Sequence, residues 1–254
     1  MGYATQPMLA TSLTILALSL VHLAAGTTVV LRHRWTPSGL SAASGVSVAY
    51  VFLDLMPDLA EQQSLIDQTG LFPGLDRHIY ILALIGVTVS LWVETASRES
   101  RRRRRALGKP DETGTATFWL SMISFVVLNA AIGYAVASPG DRAVEPLWMF
   151  ALAMGLHFAA NDQSLIEHHG ARYQHIGRWL LIAGLFMGWL IGLLPAVEIR
   201  PDFLALLLAY IAGGTTMNIL RHELPDTDRS SDVVAFATAA AVYSVLLLSL
   251  APAA

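Results

Sequence analysis

Chemistry-bearing side chains crowd into one stretch, Met154-Gly-Leu-His157-Phe-Ala-Ala-Asn161-Asp162-Gln163-Ser164-Leu-Ile-Glu167-His168-His169. His157, Asn161, Ser164 and His168 recur at i, i+4, i+7 and i+11, which puts them on one face of a helix. An imidazole nitrogen and an amide oxygen one turn apart can grip a single divalent ion, and imidazole suits zinc, iron, copper or nickel. Asp162 adds a carboxylate, and Glu167, His168 and His169 gather at the far end as an entry or exit. The competing reading is that His157 and Asn161 hydrogen-bond a neighbouring helix. An ionisable group costs about 2.5–3.5 kcal/mol or more at the centre of a membrane helix, so a polar face of this size favours a translocation path.

Two further groups resemble the mouths of such a path. Asp54 and Asp58 stand at i, i+4, and His222, Glu223 and Asp226 lie far along the chain. Carboxylates at a pore mouth attract cations; for Asp58 and Asp226, simple solvation at a membrane surface explains them equally well. His22 and Asn129 each sit alone on an apolar face and read as interhelical hydrogen bonders, and Glu94 reads as a helix-end marker. The chain has no cysteine, which removes disulfides, thiolate catalysis and cysteine metal sites. No phosphate-binding glycine loop, serine-hydrolase elbow or His-Glu-x-x-His is present, so an enzyme and an organic cofactor are not expected.

The elements that must position these residues are membrane helices. Of 254 residues, 54% are hydrophobic and only 14% charged, against about 25% charged in soluble domains. That excludes a disordered chain, a basic nucleic-acid-binding domain and an ordinary soluble enzyme. A bilayer core takes about 20 mostly apolar residues per helix. Eight such spans are predicted, at about 9–31, 39–59, 78–96, 116–137, 146–168, 176–197, 202–222 and 232–252, forming a single polytopic domain over 1–254. The fold class is therefore all-α integral membrane, with connections at 59–77 and 97–115 as the longest. Thirteen Lys and Arg follow spans 1, 3, 5 and 7, among them the run Arg101 to Arg105, and three lie on the other side. The positive-inside rule then places both termini outside a plasma (inner) membrane. Trp35, Trp92, Trp119, Trp148 and Trp179 fall near span ends, as an aromatic belt requires; Trp189 does not. The arginine run suits anionic headgroups of the lipid bilayer. Gly184, Gly188 and Gly192 form a small-residue stripe for a close helix neighbour, either in a homodimer or within the chain.

The sequence also repeats. Gly45-Val-Ser-Val-Ala-Tyr50-Val-Phe-Leu-Asp54-Leu-Met-Pro57-Asp58 and Gly213-Gly-Thr-Thr-Met-Asn218-Ile-Leu-Arg-His222-Glu-Leu-Pro225-Asp226 share Gly, Pro and Asp in register at an offset of 168. Tyr50 pairs with Asn218 and Asp54 with His222. The predicted topology runs these two segments in opposite directions, and inverted repeats with a midplane site mark secondary transporters. The simpler alternative is that Pro-Asp merely stops two helices.

On these motifs the chain resembles the ZIP (Zrt/Irt-like) family of divalent-metal transporters over nearly its whole length. Phe52-Leu-Asp-Leu-Met-Pro-Asp58 is similar to the family's Phe-Leu-His-Leu-Leu-Pro-Asp, and Gly213 to Asp226 is similar to its glycine-to-Leu-Pro-Glu segment. The resemblance implies eight helices in a three-two-three arrangement, with helices 1–3 and 6–8 inverted and helices 4 and 5 between them. The family's His-Asn-x-x-Glu is matched here by Leu128-Asn129-Ala130-Ala131-Ile132, and its His-Glu-x-x-His by His157-Phe158-Ala159-Ala160-Asn161. A carboxylate-poor site remains, of His157, Asn161 and Asn129 with Asp54 or Asp162, for a zinc-, iron- or manganese-class cation as substrate. The expected function is a ZIP-like carrier; the alternative is a non-transporting scaffold or sensor on the same framework.

Overall fold

The computed structural model describes residues 8–26, 37–69, 77–137, 147–194, 201–222 and 232–250. Among them the chain is all-helical: α1 (Met8–Gly26), α2 (Pro37–Tyr50), α3 (Met56–Thr69), α4 (His78–Ala106), α5 (Thr115–Ala137), α6 (Leu147–His169), α7 (Arg178–Leu193), α8 (Pro201–His222) and α9 (Val233–Leu250). Two π turns, Val51–Leu55 and Tyr173–Gly177, join α2 to α3 and lead into α7. Among the described residues, five stretches are long and apolar enough to cross a membrane: Met8–Ala25, Ser41–Ser64, His78–Ala106, Thr115–Ala137 and Tyr173–Leu193. Trp92, Trp119, Trp148 and Trp179 are exposed, whereas Trp189, the exception to the belt, is buried.

Pro57 does not stop its helix. Proline lacks an N–H and its ring collides with the carbonyl four residues back. The wider π turn just before it, in which Met56 N–H reaches back five residues to Val51 O, absorbs that defect. The chain then continues helically to Thr69, ten residues past the expected end at 59. The expected end of span 3 at 96 is likewise overrun, because α4 carries its arginines helically to Ala106. There Glu99 pairs with Arg102 and Arg103 at i+3 and i+4.

The helices group into two compact units, residues 1–34 with 91–196 and residues 35–90 with 197–254. These units cut across the predicted triplets, since each triplet contributes to both. In the first unit α5 and α7 cross at bare backbone. A Cβ on Gly188 would stand 1.7 Å from the Ala130 carbonyl oxygen, and one on Gly133 would stand 2.0 Å from that of Leu185. Gly184 and Gly192 also abut α5, so the glycine stripe is taken up within the chain. In the second unit α4 and α8 cross in the same way: Gly213 abuts the Ala83 carbonyl and Gly86 that of Tyr210. Gly45 of α2 meets the Phe236 carbonyl of α9. Leu59, Ile66, Ile79, Ala205 and Ala209 pack the core beside these crossings. Asp232 caps α9, accepting the Ala235 N–H at 2.9 Å and the Ser38 hydroxyl at 2.6 Å. Those bonds, the Ser38 one foremost, hold its carboxyl below the ordinary value.

Candidate functional site

The first unit buries several ionisable side chains, among them His22, His157 and Asp162. On α1, Thr11, Ile15, Leu18, His22 and Ala25 form the inward stripe, while Leu9, Leu13, Leu16 and Leu20 face out. His22 is thereby driven to full burial. Its Nδ1 lies 3.0 and 2.9 Å from the two carboxylate oxygens of Asp162 on α6, and its Nε2 lies 2.9 Å from Oδ1 of Asn129 on α5. Asn129 donates its amide N–H to the Phe125 carbonyl at 2.8 Å, which fixes which end of the amide faces His22. Oδ1 must then accept from Nε2–H, and one hydrogen is shared between Nδ1 and Asp162. The Tyr173 hydroxyl donates to Asp162 Oδ1. Phe158 stacks on the His22 ring, with centroids 4.5 Å apart.

Local sequence explains the placement of Tyr173. It opens the second π turn, where the added residue re-aims the side chains downstream. A Cβ on Gly177 would stand 2.5 Å from the Tyr173 ring, so glycine leaves the space that the ring occupies. Desolvating His22 and Asp162 is costly unless the remaining hydrogen-bonding positions are filled. Here Asn129 and Tyr173 fill them.

A second cluster ties the end of α6 to α4 and the 107–114 connection. His168 Nε2 lies 3.2 Å from the Glu94 carboxylate, which also takes Arg98 Nε at 2.6 Å. Arg101 grips Asp111 through two bonds of 2.9 and 3.0 Å and reaches Glu167 at 3.2 Å. Thr113 N–H donates to the His168 carbonyl at 2.8 Å, and its hydroxyl bonds His169 Nδ1. Burial pushes His169 down to about 3, with the charges of His168 and Arg172 acting in the same direction. The hydrogen bond from Arg101 holds Asp111 below the usual carboxylate range.

The sequence-predicted residues are thus dispersed. His157 and Asn161 are both buried and bond each other, Nδ2 to Nε2 at 2.8 Å. Asn129 and Asp162 come together, but through His22. Asp54 lies in the first π turn and Asp58 one turn on, both half-buried and both in the other unit. Glu167, His168 and His169, read as an entry or exit, anchor the 107–114 connection instead; Glu167 alone of the three is exposed. His222 ends α8, and Glu223 and Asp226 lie outside the described residues. Sequence reasoning passed over His22, Glu94 and Tyr173 as site members. Only His22 carried a signal, its place on the stripe of Ile15 and Leu18. The chain matches no protein-family model, and comparison with individual curated proteins finds no match.

Proposed function

We propose that the chain is a ZIP-like secondary carrier for a divalent metal cation of the zinc, iron or manganese class, with eight spans and both termini outside a plasma (inner) membrane. The observation that carries this reading is the buried set His22, Asn129, His157, Asn161 and Asp162, each no more than 6% exposed, inside an assembly of apolar helices. Such groups are expensive in a membrane interior and are retained for ion or proton pathways. The inverted repeat gains support from its two glycines. Gly45 abuts a carbonyl of α9 and Gly213 one of α4, so each copy's second helix approaches the other copy's third.

Transport is tested in liposomes carrying the purified chain and a metal-sensitive dye. The carrier reading expects zinc, manganese or cobalt to enter faster than into protein-free liposomes. Entry no faster than that for all three ions rejects it. The non-transporting scaffold or sensor is the second reading, favoured by the mutual hydrogen bonding of His22, Asp162 and Asn129, which a structural core also requires.

A further inference from the structure

The structure assigns the cation-binding position within the proposed carrier to His22 Nδ1 and the Asp162 carboxylate, with Asn129 orienting the imidazole; this rests on the carrier reading. Metal-bound histidines almost always donate their second ring N–H to a carbonyl or carboxylate, which sets the tautomer and the ring plane. Asn129 Oδ1 supplies that acceptor at 2.9 Å from Nε2, and its own orientation is fixed by the Phe125 carbonyl. The Nδ1 lone pair is left aimed at Asp162. Two bonds of about 2.1 Å at the tetrahedral angle put donor atoms about 3.4 Å apart. The observed separations of 3.0 and 2.9 Å need to widen by only about 0.5 Å to hold two neighbouring ligands of one ion. An ion would sit to one side of the line between Nδ1 and the carboxylate oxygen and displace the hydrogen now shared along it. Phe158 holds the ring, and the Tyr173 hydroxyl holds one carboxylate oxygen.

The pair His157–Asn161 is the weaker candidate. The His157 Nε2 already faces the Asn161 amide at 2.8 Å, and an uncharged amide is a weak ligand. A dication in a low-dielectric interior needs an anionic ligand to offset its lost hydration, and the carboxylate nearest in sequence, Asp162, is turned to His22. The site therefore draws on α1, a helix from which the sequence offered no ligand.

Zinc, manganese and cobalt are titrated at one neutral pH into the full-length protein in detergent, as wild type, His22→Gln, Asp162→Asn, His157→Gln, Asn129→Ala and Tyr173→Phe. His22→Gln and Asp162→Asn should weaken binding by about 100-fold or more, and Asn129→Ala by about 10-fold, within the range for groups that orient a ligand. His157→Gln should stay within about 3-fold of wild type. The visible bands of bound cobalt report the ligand set directly: they should change in His22→Gln and persist in His157→Gln. If His22→Gln does not elute as a folded species, Asn129→Ala carries the test, and unchanged affinity and bands there overturn the assignment. Loss of binding in His157→Gln with retention in His22→Gln also overturns it, while uptake by the wild type keeps the carrier reading intact. A wild type that neither binds nor takes up any of the three ions rejects both.

Discussion

The two units share a way of packing and differ in what they bury. In the first, Gly188 and Gly133 each take a carbonyl three residues before the partner's glycine; in the second, Gly213 and Gly86 do the same. In the first unit the buried polar groups of the described residues include the ionisable His22, Glu94, His157, Asp162, His168 and His169. In the second they are mainly hydroxyls, such as Ser41, Ser44, Ser47 and Thr215, with His78 the buried ionisable group among the described residues. Close backbone approach thus builds a rigid helix pair without specifying its chemistry. The chemistry comes from which side chains the neighbouring helices then turn inward.

The largest effect that would test this contrast comes from Asp162→Ala. It strands His22 and the Tyr173 hydroxyl in an apolar interior, and breaking a buried pair in this way costs about 3–5 kcal/mol. Thermal or SDS unfolding in detergent measures it, and a loss under about 1 kcal/mol would show that the network is not under such tension. Next come Gly188→Ala and Gly213→Ala, one in each unit. Each drives a methyl into a backbone carbonyl, and overpacking costs about 1–3 kcal/mol. Similar losses sharpen the parallel between the crossings, whereas a large loss in one alone breaks it. Asp232→Ala in the second unit removes the α9 cap, for about 1 kcal/mol by the same assay.

The smallest effect is local. His169 is held neutral by burial, with its value depressed from 6.5 to about 3. The stabilisation it contributes is present above pH 6.5 and is lost progressively as pH falls toward about 3. Asp111, also depressed, adds a loss of the same sign below the ordinary carboxylate range. Hydrogen exchange at the Thr113 amide, bonded to the His168 carbonyl, should therefore gain opening amplitude from pH 7 to pH 4.5 after correction for intrinsic rates. No corresponding change is expected at Ala235, whose N–H is held by Asp232. A flat Thr113 response would place the His169 shift outside the stability of this connection.

Helices were legible because continuous apolar runs admit little else: among the described residues each predicted run overlaps a helix, and five stretches are long and apolar enough to cross a membrane. Their ends were less legible. Pro57 reads as a stop in one dimension, yet a π turn carries the helix through it, and Arg101 to Arg105 read as a loop until their carboxylate partners are seen. The site was only half visible. Asn161 and His157 declare themselves by spacing along one helix, whereas His22 and Glu94 acquire meaning through partners 140 and 74 residues away. Periodicity carries no record of such pairs.

The first π turn also bears on how the internal repeat is aligned. A π turn takes one residue more than α geometry, and each residue added rotates the downstream side chains by about 100°. Helix α8 is α-helical throughout Pro201–His222, with no matching turn. Gly45 and Gly213, upstream of the turn, therefore remain counterparts in three dimensions as they are in sequence. Downstream the letters still match, but the helical frame of the first copy has slipped by about 100° against that of α8. Grafting residues from one copy of the repeat into the other must count by helical angle beyond residue 51, not by position along the chain.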